Sequence, residues 1–142
     1  ESDFGVSADV WSVTSYKELH LDATETERWN MLNPDKKARS PFIERVTKGE
    51  SGVFVSATDY LQILGDSISK WLPGSLHSLG TFGFGRSETR ESLRDFFEVD
   101  ARHIAYAALF SLAKEGKISK EVLKKAKKQL EINADKPNPF KS

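Results

Sequence analysis

The sequence predicts an α/β fold with a parallel sheet and helices between its strands. Two observations carry this prediction. Short β-branched or apolar runs alternate with longer amphipathic segments, and Pro, Gly, Ser or Asp punctuates most of the joins between them. Strands separated by helices pair in parallel, because a parallel connection needs a crossover of helix length.

Taken in order, Val10 to Thr14 (VWSVT) alternates apolar and polar residues in a β-branched and aromatic run and reads as a strand. Ser15 and Glu18 have the spacing of a capping box, so a helix is expected from there to about Leu32. Its inner face would carry Leu19, Ala23, Thr26 and Met31, with Trp29 near the end, and Asn33-Pro34 would stop it. The charged stretch 33–41 is a surface connection. Pro41 opens a short helix through Val46, which Gly49 and Gly52 terminate. Val53 to Ala57 (VFVSA) reads as a covered strand, and Thr58 or Asp59 as the cap of a helix bearing Leu61, Leu64, Ile68, Trp71 and Leu72, stopped by Pro73-Gly74.

Leu76 to Val99 is the centre of the chain, where an apolar strand reaches Gly80, crosses a glycine-rich turn and becomes a helix. Gly80, Gly83 and Gly85 suit a turn against which another backbone presses closely. Ser87 is the expected cap of a helix with Leu93, Phe96 and Phe97 on one face. A glycine turn feeding a helix start can hold an anion, with Arg86 as a clamp. Reading on from Gly83 and Gly85, however, Glu88 stands where a dinucleotide fingerprint needs its third glycine, and no G-K-[ST] follows. The spacing therefore favours a packing or interface turn made by Phe82, Gly83, Phe84, Gly85, Arg86 and Ser87. Asp100 starts a helix through Glu115 that Gly116 ends, and Ser119 caps a last helix with Val122, Leu123, Ala126 and Leu130 inward. The Pro-rich tail, residues 134–142, is expected to be extended.

The 142 residues suffice for one domain with a core. Lys plus Arg balances Asp plus Glu, 21 against 21, so overall charge draws the chain toward neither nucleic acid nor an anionic membrane. The lysines of the last helix read as its solvated face. No apolar run approaches the length of a membrane span. With no Cys, thiolate chemistry and cysteine metal sites are excluded, in keeping with a cytoplasmic protein.

His20, His77 and His103 lack any metal-ligand spacing, and no G-x-S-x-G elbow presents a serine nucleophile. Glu25 and Glu27 fall on opposite sides of their helix. His77, in the strand before the glycine turn, is the weak candidate for a functional mouth. No catalytic, cofactor-binding or metal-binding constellation emerges, and the chain opens at Glu1 without Met or a signal-like region, as a piece of a longer protein would.

Three runs, Gly5 to Ser15 (GVSADVWSVTS), Glu27 to Leu32 (ERWNML) and Gly83 to Ala101 (GFGRSETRESLRDFFEVDA), with SATDY at 56–60 and INADKPNP at 132–139, resemble one family. It is the C-terminal domain of the homodimeric bacterial pyruvate dehydrogenase decarboxylating component, built like transketolase. The resemblance covers essentially the whole chain. It implies a cytoplasmic parent enzyme that uses thiamine diphosphate and magnesium to decarboxylate pyruvate, then acetylates the lipoyl group of an acetyltransferase component. In that family the cofactor lies between the other domains of facing subunits, so no catalytic or cofactor-binding residue transfers to this chain. The turn 82–87 is then expected at a domain or dimer interface, with Arg86 making a polar contact. Phe82 stands where the family usually has Asp, and Asn33 where it usually has His. The resemblance also implies a three-layer α/β/α fold with a mixed, mostly parallel sheet, and a strand and helix ahead of Gly5, without which the sheet would lack its first strand and expose an edge. The other readings from these residues are a free-standing module binding a phosphate-bearing ligand, and the same domain on an enzyme for another 2-oxo acid.

Overall fold

The computed structural model describes residues 3–82 and 87–141. Six α-helices and two strands follow in the order α1 (Tyr16–Leu32), α2 (Phe42–Val46), β1 (Phe54–Leu61), α3 (Ile63–Asp66), β2 (Leu76–Thr81), α4 (Arg90–Phe96), α5 (Ala101–Lys114) and α6 (Lys120–Gln129), with a 3-10 turn at Ser69–Trp71 between α3 and β2. β1 and β2 pair in parallel, Phe54 opposite Leu76 and Ala57 opposite Leu79, as the α/β reading requires.

The two faces of this pair are built differently. Ser56 and Ser78 are buried and share a hydrogen bond of 3.0 Å between their hydroxyls. Against them lies Gly65 of α3, where a Cβ would stand 2.1 Å from Ser56 Oγ. Small residues thus let α3 settle directly on the sheet. Side chains alternate across a strand, so His77 points the other way, and its ring meets Phe110 of α5 edge-on at 6.2 Å. Helices therefore cover both faces, α3 on one and α5 on the other, and α6 packs on α5.

The main core lies where α1, α2 and the α3 region meet. Ala23, Ile43, Ile68 and Trp71 are buried there, with Tyr16, Leu19, Val46 and Leu72 packed around them. His20 Nδ1 stands 2.8 Å from the Ser67 carbonyl, and its ring meets Trp71 at 5.6 Å. Trp71 Nε1 in turn donates to Glu27 at 3.0 Å, so the indole nitrogen is satisfied as the ring is buried.

Helix starts follow the sequence signals at Ser15, Asp100 and Ser119, each of whose side chains accepts a backbone N–H of the first turn. Five expectations are corrected. Val10 to Thr14 forms no strand, because no described strand pairs with it, and Val10 and Trp11 are exposed. Neither Thr58 nor Asp59 caps a helix. β1 instead continues through Leu61, opposite Thr81, and the helix behind it shrinks to one turn of α3 and a 3-10 turn. Gly80 makes that continuation feasible, since a Cβ there would lie 2.6 Å from the Gln62 nitrogen. Thr89, not Ser87, caps α4, because its hydroxyl is the one that reaches a first-turn amide, Ser92 N–H at 3.3 Å. Met31, expected inward, is exposed at the end of α1. The tail also differs from the extended form expected, because Asn133 and Asn138 side chains accept the amides of Asp135 and Phe140 and turn the chain twice.

The last three helices end alike. After α4, Glu98 N–H donates to the Asp95 carbonyl and Val99 N–H to the Arg94 carbonyl, the paired bonds of a Schellman motif. α5 and α6 repeat the pattern at Gly116 and Glu131. All three pivotal residues have positive φ, but only Gly116 takes it without strain. Glu98 (φ 61°) and Glu131 (φ 54°) are non-glycine residues in the left-handed region.

Candidate interface at the carboxyl end of the sheet

In open α/β sheets, ligands bind beyond the carboxyl ends of the parallel strands. Here those ends are Leu61 and Thr81, and the surface beside them is apolar. Tyr60, Leu61, Ile63 and Phe82 are all exposed, Tyr60 to 74% and Ile63 to 63%. Isolated exposed apolar side chains are ordinary, but several at one strand end mark a surface suited to another protein surface.

Of the residues that the sequence assigns to the turn, Phe82 and Ser87 are described, and Gly83, Phe84, Gly85 and Arg86 lie outside the described residues. Phe82 is 57% exposed and its ring centroid is 4.9 Å from that of Phe140 in the tail. Ser87 is exposed and lines an open hollow with Glu88, Leu93, Asp95, Phe96 and Lys136. His77, the second residue of β2, packs on Phe110 instead.

Beside this end of the sheet is a charge lattice that sequence reading missed. Asp59, near the end of β1, takes a two-pronged contact from Arg94 of α4, Nε at 3.2 Å and Nη2 at 3.0 Å, with Arg90 at 3.7 Å. The Arg94 hydrogen bond holds the Asp59 carboxyl below its usual range despite some burial. Arg102 bridges Asp95 at 2.6 Å and Asp100 at 2.9 Å. Burial pushes the Asp100 carboxyl up, but bonds from the His103 N–H, the His103 ring and Arg102 outweigh it and hold it low. The Asp59–Arg94 contact had no signal in the sequence, because its partners are 35 residues apart. Asp100 and His103, three apart at a helix start, did carry one.

The donor set limits the chemistry. Asp95, Asp100 and His103 each offer a ligand atom within 4.8 Å of the others, yet Arg102 donates to both carboxylates, and a guanidinium there opposes a cation. The start of α4 carries Glu88 and Glu91, which repel a phosphate. Among the described residues, the exposed apolar side chains at this end make it the candidate contact surface.

The family model for the transketolase-like TK C-terminal domain matches residues 1–100. The chain belongs to that family. Relatives of this transketolase-like domain include the "Pyruvate dehydrogenase E1 component" of Pseudomonas aeruginosa, 42% identical over 140 residues, with 98% of this chain and 16% of that protein covered. The proteins of the same name from Escherichia coli K12 and from Buchnera aphidicola of Schizaphis graminum are each 45% identical, over 138 and 139 residues, covering 96% and 97% of this chain and 15% of each relative. The transketolase-like domain thus spans only about a sixth of the length of the curated relatives it matches. No described helix in it is long and apolar enough to cross a membrane.

Proposed function

We propose that the chain is the C-terminal domain of a pyruvate dehydrogenase (acetyl-transferring) and contributes architecture and subunit contacts rather than catalytic groups. The observation that carries this reading is the 42–45% identity, over nearly the whole chain, to proteins named as the E1 component of pyruvate dehydrogenase. In this reading the parent is a cytoplasmic homodimer that decarboxylates pyruvate and acetylates the lipoyl group of an acetyltransferase component. Thiamine diphosphate, with magnesium, supplies the electron sink for that decarboxylation when bound. The described residues do not fit it, since their one carboxylate–histidine group is already bridged by Arg102 and the α4 start is acidic. They are accordingly assigned no part in holding it.

The role left to this domain is the turn 82–87, with Arg86 making a polar contact to a second subunit or a neighbouring domain. The apolar surface of Tyr60, Ile63 and Phe82 beside it supports that role. The test uses the complete protein. Pyruvate should support lipoyl acetylation only with thiamine diphosphate present, and with a higher kcat/KM than longer or acidic 2-oxo acids; preference for another 2-oxo acid would reassign the substrate. Arg86→Ala should lower dimer stability or activity, and native behaviour in both would remove the interface role.

A further inference from the structure

The tail after α6 lies against both flanks of the central turn. At its far end Phe140 packs on Phe82, the first residue of the turn. Pro139 beside it is buried, so this part of the tail is seated in the fold. Four residues before Phe140, Lys136 reaches the opposite flank. Its Nζ donates to the main-chain carbonyl of Asp95 near the end of α4, stands 3.9 Å from the Asp95 carboxylate and lies 6.0 Å from the Phe96 ring centroid. The Lys136 side chain is only 19% exposed, low for a residue type that normally stays in water. A cation beside the last carbonyls of a helix also complements its dipole.

Two independent anchors, one aromatic and one cationic, thus join a single short segment to Phe82 and to the carboxyl end of α4, the helix that follows the turn. Asn138 fixes the geometry between them, its side-chain oxygen accepting the Phe140 amide at 2.9 Å and its carbonyl accepting the Lys141 amide at 3.0 Å. We propose that residues 136–141 are a strap that sets the spacing and orientation of the turn's flanks, Phe82 on one side and α4 on the other. Phe140 and Lys136 are its positioning residues. The strap acts on the chain's own structure, so it stands or falls separately from the identity of any partner.

The test is amide hydrogen exchange in the complete protein carrying Phe140→Ala, Lys136→Met or both. Phe140→Ala should speed exchange about tenfold at the Gln62 amide, which donates to the Thr81 carbonyl at the end of β2. Lys136→Met should do the same at the Phe97 and Glu98 amides that close α4, while amides inside α1 and α5 keep native rates. Phe82→Ala should reproduce the Phe140→Ala pattern without adding to it in the double variant, and Phe140→Tyr, which keeps the ring, should restore native rates. Native exchange at all three amides in both single variants would overturn the strap. An equal rise across α1 and α5 would overturn it too, because the tail would then be a general contributor to stability.

Discussion

Asp100 Oδ1 accepts the His103 backbone N–H at 3.0 Å and stands 2.6 Å from the same residue's ring Nδ1, so one carboxylate oxygen both caps α5 and orients an imidazole. Its other oxygen takes Arg102 at 2.9 Å. Asp100→Ala removes cap, imidazole partner and guanidinium partner together and should cost about 1–2 kcal/mol. Asp100→Asn keeps a capping oxygen but loses the charge, and should lie between wild type and Ala. Thermal unfolding of the three proteins orders them, and equal values for Asn and Ala would show that charge rather than capping dominates.

The depressed carboxyls set a direction for acid sensitivity. Asp59 and Asp100 both bind a proton less readily folded than unfolded. The stability that each adds is complete above the unfolded carboxylate pKa, about 3.9, and is lost as pH falls through the lower folded value. Unfolding midpoints should therefore fall as pH drops below about 4. Asp100→Asn should make the acid limb shallower. Asp59→Asn should change it less, because that side chain is 48% exposed and its ion pairs are screened.

Helix ends offer a stabilising change. Glu98→Gly and Glu131→Gly relieve a left-handed conformation and should each raise stability by about 0.5–1 kcal/mol, the greater unfolded freedom of glycine offsetting part of the relief. Gly116→Ala puts a side chain at φ 75° and should lower stability by about 1 kcal/mol. Opposite shifts in melting temperature at Glu131 and Gly116, in motifs otherwise alike, are the expected result.

Gly80 and Gly65 are among the glycines that mark contacts too close for a side chain. A Cβ at Gly80 would meet the Gln62 nitrogen at 2.6 Å and its Cα at 2.7 Å, all backbone, whereas one at Gly65 would first meet the Ser56 hydroxyl, which can rotate. Both alanine variants should lose about 1–3 kcal/mol, Gly80→Ala the more. Denaturant midpoints of the two proteins test the order.

Helices with a side-chain cap and a clear stop were legible, α1, α5 and α6 above all, because those signals act within a few residues of one another. The failures share a cause of longer range. VWSVT has the composition of a strand, but a strand exists only through a neighbour, and no described strand pairs with it. β1 outran its expected end because pairing with Thr81 and the close approach at Gly80 outweigh the capping tendency of Thr58 and Asp59. At the candidate interface the sequence marked Phe82 and Ser87 through the glycines between them. It could not show the grip of Phe140 and Lys136, because those contacts join residues 41 or more positions apart.

The pairing of Glu27 with Trp71 also gives the molecule an optical signature. Its three tryptophans occupy different surroundings: Trp71 is buried beside a carboxylate, Trp29 lies under the Arg39 guanidinium at 3.6 Å, and Trp11 is 53% exposed. Excited indoles emit at shorter wavelength when shielded from water, so the blue part of the fluorescence belongs to Trp71 and the red part to Trp11. Protonating Glu27 removes the charge from the acceptor of the Trp71 N–H and weakens that bond, so acid should alter the blue emission before the chain unfolds.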